Sequence, residues 1–215
     1  MEITRQKAYR KTFDLACSEL AGLSIEKQAA KAGLACSKKG DAYSVPVPFF
    51  DETIELAVPG FSFVSARGSN VTLTTKIIIL HYLIHASGSP LGTGLVPYED
   101  VPGCRSYLPV FERRVVKPLV AAFGFARDAF VEAGEALGGK EEEYGNASVT
   151  LQAFPRLPIT FILWEGEEDF PPAIKVLFDK SIHTYVPLED IVVISKMAAT
   201  RMLKAARAAR AGAEE

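Results

Sequence analysis

Apolar and polar positions change period several times along this chain, and each change marks an element. Residues 4–21 carry apolar side chains at helical spacing, with Ala8, Leu15 and Leu20 on the inward face. Arg5, Lys7, Arg10 and Lys11 fall on the outward face. Ser24 is placed to cap a second short helix that ends near Gly33. The period then drops to two: Tyr43, Val45 and Val47 alternate with small residues, Asp51-Glu52 predicts a turn, and Thr53 to Val58 runs back. Pro46 and Pro48 favour an edge position in this hairpin, since proline has no N–H to give to a ladder. Leu73 to Ala86 is apolar nearly all round, which predicts a central buried helix stopped by Gly88 and Pro90.

Residues 88–105 are rich in glycine and proline and read as a long connection of the kind that often forms a lid. Tyr107 to Phe123 returns to a helical period, with a kink or break expected at Pro118. Arg127 to Leu137 predicts another helix, and Lys140 to Gly145 a charged turn. Val149, Leu151 and Ala153 then alternate as a strand, Phe154 to Pro158 turns, and Ile159 to Trp164 is apolar enough for a central strand. Pro171 to Tyr185 reads as a helix with proline at its first position. Leu188 to about Arg210 reads as a last helix, fraying over 208–215. The pattern predicts one α+β domain over residues 1–215: about four antiparallel strands in two hairpins, with six or seven helices packed on the sheet.

Composition narrows the function more than it names one. The chain has 215 residues, 48% of them hydrophobic, enough for one sizeable core. A formal net charge of -2 gives no broad field to attract nucleic acid or anionic lipid. No apolar run approaches the ~20 residues of a membrane span, and the N-terminus lacks the apolar core of a secretion signal, so a cytoplasmic protein is expected. Cys17, Cys36 and Cys104 are far apart, without a C-x-x-C pair, which argues against a structural zinc or cysteine-ligated cluster and for reduced, buried thiols.

The most informative stretch is Trp164 to Pro172, where a strand stops at Glu165, Glu167, Glu168 and Asp169 and a Pro-Pro pair follows. These carboxylates offer hard oxygen ligands for a divalent metal, or a general base. A plainer alternative is that they stabilise the positive end of a helix dipole near Pro171. His81 and His85, four apart on a helix, share a face and are candidate metal or tetrapyrrole ligands; the alternative is a hydrogen-bonded pair near the helix end. The glutamate of an H-E-x-x-H site is absent, since position 82 is tyrosine. Asp179 precedes His183 by four residues and is placed to orient it within the predicted helix. Gly92-Thr93-Gly94 and Gly138-Gly139 are too short for a nucleotide loop. Arg113, Arg114 and Lys117 form one basic strip, and Lys196, Arg201, Lys204, Arg207 and Arg210 another; neither has interleaved aromatics to stack bases.

The order Ile78-Ile79-Leu80-His81-Tyr82-Leu83, Gly94 to Val101, Phe154-Pro155-Arg156-Leu157-Pro158, the acidic run after Trp164, Leu177-Phe178-Asp179 and Leu188-Glu189-Asp190 resembles a family of anaerobic bacteria and archaea catalogued as domain of unknown function 3786. The order of the motifs carries the likeness, which extends from the first helix to the last. It implies one compact domain. Relatives joined to iron–sulfur modules imply a link to redox or corrinoid-linked one-carbon metabolism. The family pattern Gly-Asp-Glu-Glu-Phe-Pro reads Gly166-Glu167-Glu168-Asp169-Phe170-Pro171 here, which lengthens the first carboxylate by one methylene.

Three functions are compatible with these residues. The first is an accessory protein binding a small-molecule cofactor, a tetrapyrrole or corrinoid, between the His81 helix, the 88–105 loop with Tyr98, and the Trp164–Phe170 junction. His81 and Tyr82 supply its polar contacts, and Trp164 and Phe178 its apolar wall. The second is an enzyme using Glu167, Glu168 and Asp169, with or without a divalent metal. The third is an interaction module that binds a partner protein through an exposed apolar patch on the 88–105 loop or the last helix.

Overall fold

Helix α1 (Glu2–Ala21) places its buried positions at every third or fourth residue: Ala16 and Leu20 are buried and Tyr9, Phe13 and Cys17 half-buried. Lys7, Arg10 and Lys11 lie outward as predicted; Ala8 and Leu15 do so too, against expectation, because the stripe runs through Tyr9 and Phe13. The computed structural model describes residues 2–92 and 94–213, with side chains over 6–92 and 94–212. Arg5 and Thr93 therefore carry expectations that lie outside those side chains. The described chain divides into two compact units.

The first unit comprises residues up to 90 together with 154–156 and 184–187. Helix α2 (Ile25–Lys31) starts at Ser24, whose hydroxyl accepts the Lys27 N–H at 3.4 Å. Strands β1 (Ser37–Lys39), β2 (Ala42–Phe49), β3 (Glu52–Val58) and β4 (Ser62–Ser65) form an antiparallel sheet in that order. The first hairpin turns at Phe50-Asp51, one residue earlier than predicted. Val45 faces Leu56 and Val47 faces Ile54, all buried. Strand β1 covers β2 only over Ala42 to Ser44, so Pro46 and Pro48 occupy a free edge, where a missing N–H costs nothing.

Helix α3 (Leu73–His85) is capped by Thr72 and packs against α1. Its last-turn carbonyls, orphaned as in any helix, are met by a buried side chain: the Gln28 amide donates to Leu83 O and Ile84 O, both at 2.8 Å. Tyr82 is fully buried on this helix. Its ring stacks on Phe154 at 4.2 Å; its hydroxyl donates to Ala32 O at 2.5 Å and accepts the Arg156 N–H at 3.0 Å.

The second unit comprises the other described residues. Its antiparallel sheet runs β5 (Leu95–Pro97), β9 (Ala173–Asp179), β8 (Leu157–Trp164), β7 (Ala147–Phe154), β6 (Lys140–Glu142), so β8 is central, as its apolar composition predicts. The register puts Ile159 opposite Phe178, Phe161 opposite Val176 and Leu163 opposite Ile174, giving one fully buried face. Helices α4 (Leu108–Phe111), α5 (Lys117–Phe123), α6 (Arg127–Glu135) and α7 (Leu188–Ala213) complete this unit. Helix α6 approaches β7 so closely that a β-carbon on Gly134 would lie 2.5 Å from Val149 Cγ1. The expected irregularity near Pro118 is a π turn over Glu112–Val116, whose wider bore accommodates a residue that cannot donate.

The fold is α+β, as the sequence predicts, with each expected hairpin at the centre of a larger sheet. Four segments differ from expectation. The predicted helix from Pro171 to Tyr185 is strand β9 followed by a 3-10 turn at Ile182–Thr184: Ile174, Val176 and Phe178 alternate with Lys175 and Leu177, a period of two that the Pro-Pro pair obscures. The 88–105 connection does not hang free as a lid. Leu95 to Pro97 pairs with β9, and Tyr98, Val101 and Cys104 are buried. The predicted charged turn at Lys140 is edge strand β6, and helix α7 continues through Ala213, with 214–215 outside the described residues.

Tyr82→Phe removes one hydroxyl and leaves the buried Ala32 O and the half-buried Arg156 N–H without it. The expected loss is about 1–3 kcal/mol of unfolding free energy. It should appear as a lower denaturant midpoint at unchanged slope.

Candidate functional site

Where β8 leaves the sheet its backbone loses its ladder partners, and three loops of the second unit meet to replace them. The Glu165 N–H donates to Asn146 Oδ1 at 2.9 Å, and the Gly166 N–H to Gly124 O at 2.8 Å. The Glu165 carboxylate accepts the Arg127 N–H at 3.1 Å, while Arg127 Nε donates to Asn146 O at 2.9 Å. Residues 124–127, 143–146 and 164–172 are thereby joined into one end of the sheet. Gly166 is required at the join: a β-carbon there would lie 2.3 Å from the Phe125 ring and 2.8 Å from Pro172. Beyond it Glu167 and Phe170 exchange backbone hydrogen bonds, N–H to O at 2.9 and 3.2 Å, closing a tight turn around Glu168 and Asp169.

Aromatic rings stand outward on all three loops. Phe125 is 72% exposed, Phe170 69%, Tyr144 47% and Trp164 41%. Carboxylates surround them. Glu141, Glu142 and Glu143 precede Tyr144, Asp128 follows Arg127, and Glu167, Glu168 and Asp169 are exposed in the turn. The two cations of these segments are already engaged: Arg127 with Asp128 at 3.0 Å and Glu141 at 3.9 Å, Lys140 with Glu142 at 3.4 Å.

Part of the acidic run does stabilise a helix dipole, though on a different helix from the one expected. Ala126, at the N-cap of α6, has no side chain to accept a hydrogen bond, and Glu165 supplies that acceptor from across the sheet end. Among the described residues no three His, Cys, Asp or Glu side chains gather as a metal site. His81 and His85 share a face of α3, their ring centroids 6.0 Å apart, His81 half-buried and His85 exposed. They belong to the first unit and the acidic run to the second.

Several other candidates are committed to the interior. Burial raises the Tyr82 phenol pKa and the hydroxyl's two hydrogen bonds are internal. Tyr98 stacks on Phe111 at 4.2 Å, and burial, then its bond to the Cys104 thiol, holds its pKa up. Phe178 meets the same two rings. It cannot form a wall with Trp164, because the register places Trp164 on the opposite face, with Thr160 and Ile162. Asp179 closes β9 and does not orient His183 through a helical turn: it accepts the Gly92 N–H at 2.7 Å and the Ser181 N–H and hydroxyl at 2.9 and 2.7 Å. His183 Nδ1 lies 3.0 Å from Lys180 O.

Burial also raises all three thiols. Cys17 is pushed up to about 11, with Asp14 adding to the effect; Cys36 and Cys104 move in the same direction. None is poised as a nucleophile near neutral pH. Cys104 is buried as predicted, whereas Cys17 and Cys36 are half-buried. A groove of about 200 Å³ between α6 and α7 is lined mostly by alanine, among them Ala129, Ala133, Ala205 and Ala206. That is smaller than a typical ligand site, and of its lining residues only Glu132 and Arg210 carry polar side chains.

Trp164, Glu167, Glu168, Asp169 and Phe170 stood out in the sequence; Phe125 and Tyr144 did not. Their signal is a lone large aromatic in a turn, Phe125 directly after Gly124 and Tyr144 between a glutamate run and Gly145.

The arrangement defines an α+β protein with an aromatic, acidic sheet end, and among the described residues no helix is long and apolar enough to cross a membrane. The family described as domain of unknown function (DUF3786) matches residues 24–201, and the chain belongs to it. No curated protein and no solved structure matches the chain.

Glu165→Ala should cost about 0.5–2 kcal/mol through the lost cap, Glu165→Gln less, and Glu168→Gln nothing measurable. Denaturant unfolding of the three variants side by side is the check.

Proposed function

We propose that this protein is an interaction module that binds a partner protein through the aromatic and acidic end of its second unit. The observation that carries this reading is the set of four exposed rings on three loops held by mutual hydrogen bonds. Exposed Phe and Trp side chains stay in water at a cost of about 25 cal/mol per Å² of apolar surface. Single ones are ordinary, but several together at one end mark a contact surface. Aromatic residues are also the side chains that anchor interfaces. Rigid loops favour this further, since little ordering is left to be done on binding. The surface lies on neither the 88–105 loop nor the last helix, where a patch was expected.

This reading takes precedence over cofactor binding because Tyr82, Tyr98, Phe178 and Asp179 are engaged in internal stacking and hydrogen bonds. It takes precedence over metal-assisted catalysis because Glu165 serves as a cap and the remaining carboxylates do not converge.

A Phe125→Ser, Phe170→Ser double variant should retain its melting temperature, as both rings are exposed. It should capture partner proteins from a desalted extract at about a tenth of the wild-type level or less. Capture that survives this variant in whole extract but is absent from the desalted extract, or is lost with His81→Ala, would favour the cofactor reading instead.

A further inference from the structure

The charge around the rings narrows the chemistry of the partner. Among the described residues the only cations on the three loops and adjoining β6 are Arg127 and Lys140, and both have carboxylate partners. Glu143, Glu167, Glu168 and Asp169 are exposed and have no cation of the described chain within ion-pair distance. The protein as a whole is close to neutral, at -2, so this local excess is a feature of the sheet end and not of the whole surface. Like charges gathered on fixed loops repel one another, and a cation brought among them relieves that repulsion.

The aromatic rings favour the same partner. A guanidinium is drawn to the face of Trp, Tyr or Phe, and Trp is the strongest of the three. Arginine also stacks flat and forms paired hydrogen bonds with a carboxylate, which lysine cannot do. The Glu167–Phe170 turn sets an aromatic ring directly beside Glu168 and Asp169, and Trp164 stands at the base of the same loop, opposite Ala173. Ring faces and carboxylates are thus available within one short excursion of the chain. Nucleic acid and anionic membranes are repelled by the same field.

Resting on the interaction reading, we propose that the partner presents an arginine-bearing cationic segment that stacks on Trp164 and Phe170 and pairs with Glu167, Glu168 and Asp169. The rival occupant is a second copy of this chain, whose α7 exposes Lys204, Arg207 and Arg210. A separate partner is preferred because a sheet end meeting a helix face is a head-to-tail contact, which needs a ring-closing rotation to give a finite assembly and otherwise propagates, whereas a cationic segment of another chain needs no such symmetry.

Trp164 is the chain's one tryptophan, so its fluorescence reports this site directly. Titration of the full chain with an end-capped hexa-arginine peptide should change Trp164 emission saturably. The Glu167→Gln, Glu168→Gln, Asp169→Asn variant, which alters only exposed side chains, should weaken binding about tenfold or more. Hexa-lysine should bind more weakly than hexa-arginine, and added salt should weaken both. Unchanged Trp164 emission on adding hexa-arginine overturns the proposal, as does equal affinity in the triple variant. So does concentration-dependent assembly in sedimentation that the triple variant abolishes, since that identifies a second copy as the occupant. If hexa-arginine fails while the Phe125→Ser, Phe170→Ser variant still loses its partner proteins, the cationic chemistry falls and the interaction reading stands. If both fail, both fall.

Discussion

The end of a central strand leaves backbone donors that need partners, and the sheet end of the second unit is organised around that need. Glu165 and Gly166 are the first two residues beyond β8, and their N–H groups reach into two different loops, at Asn146 and Gly124. The Glu165 side chain then reaches the start of α6. One dipeptide therefore fixes the strand exit, the helix start and the β6–β7 connection together. Each bond contributes only about 1 kcal/mol net, but together they leave the three loops few alternative positions. Phe125 lies directly against Gly166, with no room for a β-carbon between them, and the Phe170 backbone is held by the exchanged pair with Glu167.

This mutual fixing is why exposure of the rings carries meaning. A large aromatic on a flexible loop collapses onto the nearest apolar surface, since burial is favourable wherever the chain can reach it. Here the backbone is committed before the rings are placed. The buried face of the same sheet is already filled by Ile159, Phe161, Leu163, Ile174, Val176 and Phe178. The register leaves Trp164 on the other face, half-exposed, and Phe125, Tyr144 and Phe170 stand outward on the loops tied to that strand end.

Much of the fold could be read in the sequence because its signals are local. The uninterrupted run through Leu73–His85, the Ser24 cap and the apolar stretch ending at Trp164 each specify their own element within a few residues. Segment 171–185 reads as a helix in the sequence because proline at a helix start and proline before a strand look alike, and five apolar residues around one lysine fit either period. Strand β5 was hidden for the opposite reason: Leu95-Val96-Pro97 is too short to show a period, and only pairing with β9 makes it a strand. At the candidate site, the acidic run and Trp164 could be seen as a junction. Phe125, Arg127, Tyr144 and Asn146, on the loops tied to them, lie 18 to 44 residues away, and nothing in one sequence links them.

Aromatic side chains have two opposite roles in this chain, and their surroundings separate them. Tyr82 carries a hydroxyl that is both donor and acceptor inside the first unit, so its ring is sealed and its chemistry spent on holding Ala32 and Arg156 in place. Tyr98 is spent likewise against Phe111 and Cys104. These tyrosines have the composition of a ligand site but the environment of a core, where a polar atom persists only because it is paired. Trp164, Phe125 and Phe170 have the reverse character: apolar surface left in water, held there by backbone bonds that do not involve the rings, beside carboxylates that no cation of the described chain neutralises. A core minimises both kinds of exposure, so their coincidence at one end fits a surface completed from outside the chain.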